Sequence, residues 1–311
     1  MPEDLSDSLR HPDLYFGYDH DTIYDRLNEK GISWRIYHGD IPQSLVLTHQ
    51  RTAQNAKRYE LMDVFYSDAK GPEGNFPAYC FIEPSYYWPN QNDDHPPHTT
   101  IRAQALLANV YNALRANDAL WTSTLLVVLY DEHGGFHDHV SPPKGVPPDD
   151  HTLPNFGFDR LGVRVPALLI SPWIERTIID TEFDHTSLLK YLTEKWGLRP
   201  LTERVSKAQS FGDFIRTNGD PRSDTPVSLA PSAPETLIGL AADEPLNCHQ
   251  KALIAFSEHL ERAIDEPVGK PARAAVILSG ALSQVETAKK RVEMFLNQQK
   301  AKAGQKLAGP N

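Results

Sequence analysis

TLLVVLYDEHGGFHDHVSPP, residues Thr124–Pro143, is the stretch on which the reading of the chain turns. From Thr124 to Tyr130 it is apolar or β-branched without alternation, the pattern of a strand covered by helices on both faces. Ligands of open α/β sheets gather beyond the carboxyl ends of strands, so Asp131 and Glu132 fall where chemistry is expected. Neighbouring side chains on a regular strand point to opposite faces, and both carboxylates can serve one site only where the strand ends or bends. Gly134 and Gly135 supply that break, because glycine accepts backbone angles closed to other residues. Two carboxylates with His133, His137 and His139 beside them are the donor set of a metal-assisted hydrolase.

Working outward, strands alternate with helices. ISWRIYHGD, Ile32 to Asp40, follows a short helix capped by Asp21 or Thr22 and closed by Gly31. FPAYCFIEP ends in Glu83-Pro84 and leads into an aromatic, proline-rich loop, SYYWPNQNDDHPPH. A loop of that length is uncommon unless it works. Thr99 or Thr100 then opens a helix that precedes the Thr124 strand, and RVPALLISPW, Arg164 to Trp173, reads as another buried strand. Asp184, His185 or Thr186 starts a helix with Leu188, Leu189, Leu192 and Trp196 on one side, stopped by Gly197. This alternation predicts a mostly parallel α/β sheet with flanking helices. Residues 1–245 form that domain, and 246–311 form a helical carboxyl-terminal appendage with helices over Gln250–Ile264 and Ala272–Gln299, packed on the domain or on a second subunit.

The totals narrow the function. A chain of 311 residues with 40% hydrophobic and 23% charged residues has the composition of an ordinary globular protein. A formal charge of -10 disfavours nucleic-acid binding and leaves an anionic substrate in need of a local cation or histidines. Cys80 and Cys248 stand far apart, outside any CxxC, so neither a thiolate zinc site nor a disulfide framework is implied, and a single pairing stays open. No apolar run reaches the roughly 18 residues of a membrane span, so no transmembrane segment is expected. The acidic start MPEDLSDSLRHPD does not read as an export signal, which makes the cytoplasm the default location.

Several ordered blocks resemble the phosphoesterase family of bacterial phospholipases C and AcpA-type acid phosphatases: TIYDRLNEKGISWRIYHGD, FIEPSYYW, DDHPPH, TSTLLVVLYDEHGGFHDHVSPP, FDRLGVRVPALLISPW and FDHTSLLKYLTEKWGL. The likeness runs from about Thr22 to Pro226. It implies an alkaline-phosphatase-like α/β fold and hydrolysis of phosphate esters, phospholipids among them. It also implies that Asp131 and Glu132 hold a divalent metal (calcium, magnesium, manganese or zinc), with His95 and His139 as catalytic phosphate contacts or proton donors. His98, His137 and His185 follow as substrate-binding residues. Relatives are often exported.

Active members carry an upstream Glu-Asn metal motif within ENRSFD and a Ser or Thr nucleophile, and this sequence has no ENR string. The expectation is therefore an incomplete sheet, impaired covalent catalysis and an association-prone, oligomeric product. The alternative is a catalytically inactive remnant that binds metal or a protein partner. A metallo-β-lactamase-like HxHxDH reading of Asp138-His139 fails, because Gly134 and Phe136 occupy the histidine positions. Glu83 reads either as a site carboxylate or as a loop support. Tyr86, Tyr87 and Trp88 read either as a substrate wall for a choline-like cation or as loop packing.

Overall fold

The computed structural model describes residues 17–231, 245–264 and 280–307. Thr22 starts helix α1 (Ile23–Glu29) through a capping box: its hydroxyl accepts from the Asp25 amide, and the Asp25 carboxylate accepts from the Thr22 amide. Gly31, at φ +66°, ends the helix as the sequence predicts. Strand β1 (Trp34–His38), a turn of helix α2 (Ala53–Ala56), strand β2 (Tyr59–Leu61), helix α3 (Met62–Lys70) and strand β3 (Tyr79–Glu83) follow. The strands form a parallel sheet in the order β2-β1-β3, with Ile36 opposite both Tyr59 and Phe81. As the middle strand, β1 buries both faces, so the alternation in ISWRIYHGD leaves no wet side. Arg35 is accommodated by ion pairing with Asp68 of α3, which also accepts from the Tyr37 hydroxyl.

Beyond the long loop come α4 (Thr100–Arg115), α5 (Asp118–Trp121), β4 (Leu126–Leu129), β5 (Ala167–Ile170), α6 (His185–Trp196) and α7 (Glu203–Lys207). Asp184 caps α6, accepting from the Thr186 amide, and Gly197 at φ +58° closes it. The strand positions match expectation, but the pairing around β4 does not. It joins β5 antiparallel in a separate two-stranded sheet, so among the described residues the parallel arrangement is confined to β1, β2 and β3. Nor is β4 buried on both faces: its residues are half-buried, Leu129 is 37% exposed, and its β5 neighbour Leu168 is 53% exposed. Among the described residues β4 has no strand on its other edge, and a cavity of about 1790 Å³ lies beside β3 and β4.

Two helices complete the described chain, α8 (Cys248–Glu261) and α9 (Gly280–Leu307). The sequence places the last helix over 272–299; residues 272–279 lie outside the described residues, and the helix runs on to Leu307. Val285, Ala288, Val292 and Phe295 of α9 and Leu253 and Phe256 of α8 share one buried cluster with Leu27, Trp34 and Ile36. The appendage is thus packed into the same core as α1 and β1. A second cluster joins Tyr37, Phe65, Val110, Leu114 and Trp121 on the opposite side of β1. Lys300 of α9 reaches the outer edge of β2, donating to the Tyr59 carbonyl at 2.8 Å and to Glu60 at 3.3 Å. Cys80 and Cys248 are both free thiols.

Candidate active site

The chain leaving β4 turns sharply at Gly134 and Gly135, whose φ angles are +64° and +77°. His133 and Phe136 close the turn: the Phe136 amide donates to the His133 carbonyl, and His133 Nδ1 donates to the Phe136 carbonyl at 2.9 Å. This brings Asp131 and Glu132 to the mouth of the cavity, exposed, each with one carboxylate oxygen in a local backbone bond. Asp131 Oδ1 accepts from the Glu132 amide at 3.0 Å, and Glu132 Oε2 accepts from the Gly134 amide at 2.7 Å. The second oxygen of each carries no hydrogen bond among the described residues, which leaves hard donors available to a divalent cation.

The loop after β3 supplies the facing wall. Tyr130 donates to Asp94 Oδ2 at 2.6 Å, and that bond, with burial, raises the phenol to about 12. His95 Nδ1 donates to the Pro96 carbonyl at 2.7 Å, so the tautomer is set and Nε2 is the nitrogen left for chemistry. His185, the first residue of α6, holds the Tyr130 carbonyl at 2.8 Å through Nε2. Asp131, Glu132, His95, His133, His137 and His185 therefore line one cavity together.

Two of the histidines singled out in the sequence do not line it. His98 lies beneath the wall, its Nδ1 2.6 Å from Asp93 Oδ1 and its Nε2 3.4 Å from Gln250 Nε2. His139 is turned outward with its side chain 85% exposed. Its neighbour Asp138 is gripped by Arg164 through Nε at 2.7 Å and Nη2 at 2.9 Å, which holds the carboxyl well below the usual carboxylate range.

Glu83 resolves toward the loop-support reading. It is buried and accepts from the Gln43 amide at 2.7 Å and the Ser44 hydroxyl at 2.5 Å, while burial pushes its carboxyl up to about 7. Asp40 does similar work, accepting from the amides of Tyr86 and Tyr87 at 3.0 and 3.1 Å, and burial pushes its carboxyl up to about 6. Tyr86 and Tyr87 are buried, and the Tyr87 hydroxyl donates to the Gln250 carbonyl at 2.7 Å. That is loop packing, with Tyr86 also lining the cavity.

Through this packing, α8 delivers a residue that the sequence reading missed. The His249 ring lies 4.8 Å from that of Tyr86 and 5.6 Å from that of His95, and it lines the same cavity. Its Nε2 is buried without a hydrogen-bond partner among the described residues. Burial first, then His95, lowers its pKa below the ordinary 6.5. The only local hint was its place inside an Asn247–Gln250 capping box at the head of α8.

Among the described residues, one group of three candidate ligands has its donor atoms within 4.8 Å of one another: Asp21, Asp25 and His49, at the start of α1. Its groups are already engaged, Asp25 with His49 at 3.1 Å and Asp21 with Arg26 at 2.6 Å, so it serves as a helix-end network. No helix among the described residues is long and apolar enough to cross a membrane.

The phosphoesterase family model matches residues 3–199, and the chain belongs to that family. Non-specific phospholipase C6 of Arabidopsis thaliana is 35% identical over 281 residues, covering 82% of this chain and 53% of the relative. Non-specific phospholipase C3 of the same plant is 38% identical over 265 residues, covering 78% and 50%. Phospholipase C A of Mycobacterium tuberculosis (strain ATCC 25618 / H37Rv) is 28% identical over 244 residues, covering 69% and 46%. The chain thus spans about half the length of the curated relatives it matches.

Proposed function

We propose that the chain carries a metal-dependent site for hydrolysis of phosphate esters, with phospholipid headgroup esters as the substrate class named by its relatives. The observation that carries this reading is that Asp131, Glu132, His95, His133 and His185, from the segments that follow β3 and β4 and from the start of α6, all line one cavity. Asp131 and Glu132 hold the divalent ion, which when bound offsets the negative charge of the phosphoryl oxygens. His95, anchored through Nδ1, presents Nε2 as hydrogen-bond partner of a phosphoryl oxygen or as proton donor to the leaving alkoxide. His137 and His185 line the substrate side, and His98 orients the wall from below. His139 stands outside the cavity, and its catalytic assignment is supported by the family resemblance only.

Turnover by the chain as it stands is expected to be weak. Among the described lining residues, the Ser and Thr hydroxyls are Thr122, Ser123, Thr124, Ser171 and Thr217. Thr122, Ser123 and Thr124 precede β4, and Ser171 donates to the Thr124 carbonyl, so these sit at the end of the strand remote from Asp131. None of these four hydroxyls stands beside the carboxylates to serve a covalent phosphoenzyme route. Release of phosphate from p-nitrophenyl phosphate, and of phosphocholine from phosphatidylcholine, measured with added Mg²⁺, Mn²⁺, Ca²⁺ or Zn²⁺, tests the reading. Slow, metal-dependent release abolished in Asp131→Asn supports it. Release that ignores both the metal and the substitution overturns it, and metal binding without any release favours the inactive-remnant alternative.

A further inference from the structure

The first turn of α8 is fastened to the loop that carries His95, near both ends of that loop. Gln250 Nε2 donates to the Tyr86 carbonyl at 2.5 Å and lies 3.4 Å from His98 Nε2, and the Gln250 carbonyl accepts from the Tyr87 hydroxyl at 2.7 Å. A capping box sets the turn itself: Asn247 Oδ1 accepts from the Gln250 amide at 2.8 Å, and Gln250 Oε1 accepts from the Asn247 amide at 2.9 Å. His249 lies between these two residues, so its placement follows from bonds on either side of it. Its ring is tilted by 48° to that of Tyr86 and by 39° to that of His95, and all three rings line the cavity.

The two histidines differ in what they can donate. His95 Nδ1 is committed to the Pro96 carbonyl, so its Nε2 donates only when the ring is charged. His249 makes no such bond, and a neutral imidazole always keeps one N–H. Burial, and then the nearness of His95, disfavours the charged form of His249, while Asp93 and Asp131 act the other way and His98 with His95. The pair therefore takes up one positive charge more readily than two.

We propose that His249 is a substrate contact that donates to a phosphoryl oxygen beside the one His95 serves, so that oxyanion binding and proton transfer are divided between two histidines from distant parts of the chain. With ring centroids 5.6 Å apart, N–H···O bonds of about 2.8 Å from each ring meet on neighbouring oxygens of one tetrahedral group. A phenyl ring would pack against Tyr86 equally well, so packing alone gives no reason for ring nitrogens at this wall. An anion entering a cavity that also holds Asp131 and Glu132 gains from a donor that needs no proton uptake. The proposal rests on the hydrolytic reading for the identity of the anion.

The test is a titration of the full chain, labelled with ¹⁵N-histidine, with inorganic phosphate in the presence of Mg²⁺. The imidazole resonances of His249 and His95 should move with phosphate, and those of His151, exposed and outside the cavity wall, should not. His249→Phe should weaken phosphate binding by about tenfold, and His249→Gln, which keeps an N–H, by about threefold. Cys248→Ser, on the same turn but exposed and outside the wall, should bind as the parent does. A purely structural role predicts no such ranking of Gln over Phe. If His249→Phe unfolds, the resonances of the unaltered chain decide. A His249 that ignores phosphate overturns the proposal, as does a folded His249→Phe that binds phosphate like the parent. A silent His249 in a chain that hydrolyses p-nitrophenyl phosphate overturns the contact and leaves the hydrolytic reading intact. Phosphate shifts at His249 in a chain without turnover uphold the contact and count against hydrolysis.

Discussion

Tyr130 and Asp94 are joined by a 2.6 Å hydrogen bond that crosses from the end of β4 to the loop leaving β3. In the described structure this bond ties the two walls of the cavity at its polar end, where no ladder links β3 to β4. The second oxygen, Asp94 Oδ1, is buried without a hydrogen-bond partner among the described residues, so the carboxylate has little to compensate if the Tyr130 bond is lost. Tyr130→Phe should therefore cost about 1–3 kcal/mol in urea unfolding and accelerate amide exchange around Asp131. Unchanged exchange at 131–136 would show that the mouth is held by other contacts.

Glu83 gives a pH signature. Its folded carboxyl is raised to about 7 from the ordinary 4.5, so the folded chain binds more protons than the unfolded chain between those values. Stability from this group is therefore present below pH 4.5 and is lost as pH rises to 7. Relative to Glu83→Gln, the parent chain should lose on the order of 3 kcal/mol across that window. His38, lowered to about 4 by burial, acts with opposite sign but is common to both proteins and cancels in the difference. Urea titrations at the two ends of the window measure it; a pH-independent difference would mean that Glu83 is ionised throughout.

Gly39 is needed for space. A Cβ there would sit 2.0 Å from the Ser85 hydroxyl and 2.7 Å from the Ser85 amide nitrogen, and backbone cannot step aside cheaply. Gly39→Ala should destabilise by about 1–3 kcal/mol and disturb the loop that carries His95. Gly74→Ala, where a Cβ meets nothing within 4 Å, is the control and should stay within about 0.5 kcal/mol of the parent.

His249 should titrate below 6.5 in an imidazole NMR experiment, because burial disfavours its charged form. A depressed folded pKa means that its contribution is lost as pH falls below 6.5. His249→Gln should remove that acid-side loss and also weaken inorganic phosphate binding. A midpoint at or above the ordinary value would place the ring in water instead.

Asp131→Asn and Glu132→Gln should each weaken Mn²⁺ binding by about tenfold or more in calorimetry while leaving the unfolding midpoint nearly unchanged, since both side chains are exposed. Loss of stability in either variant would indicate a structural role.

Local chemistry carried much of this architecture. Thr22 with Gly31 and Asp184 with Gly197 bracket α1 and α6 as short-range capping rules require, and the apolar runs fall on β3, β4 and β5. Asp131 and His185 were legible because they stand just beyond β4 and at the start of α6, whereas His95, within the long loop after β3, was singled out through the family resemblance. His249 was not, because its approach to His95 depends on the Tyr87–Gln250 contact between segments distant in sequence. The separation of β3 from β4 was equally hidden: an unbroken apolar run reports that a strand wants cover, and says nothing about which neighbour provides it. The outward turn of His139 follows from Asp138 being engaged by Arg164, a partner chosen by the fold.

Lys300 lends this sheet a guarded flank. By occupying the Tyr59 carbonyl it stoppers part of the β2 flank, so a strand arriving at that edge would have to displace an ammonium group before it could pair.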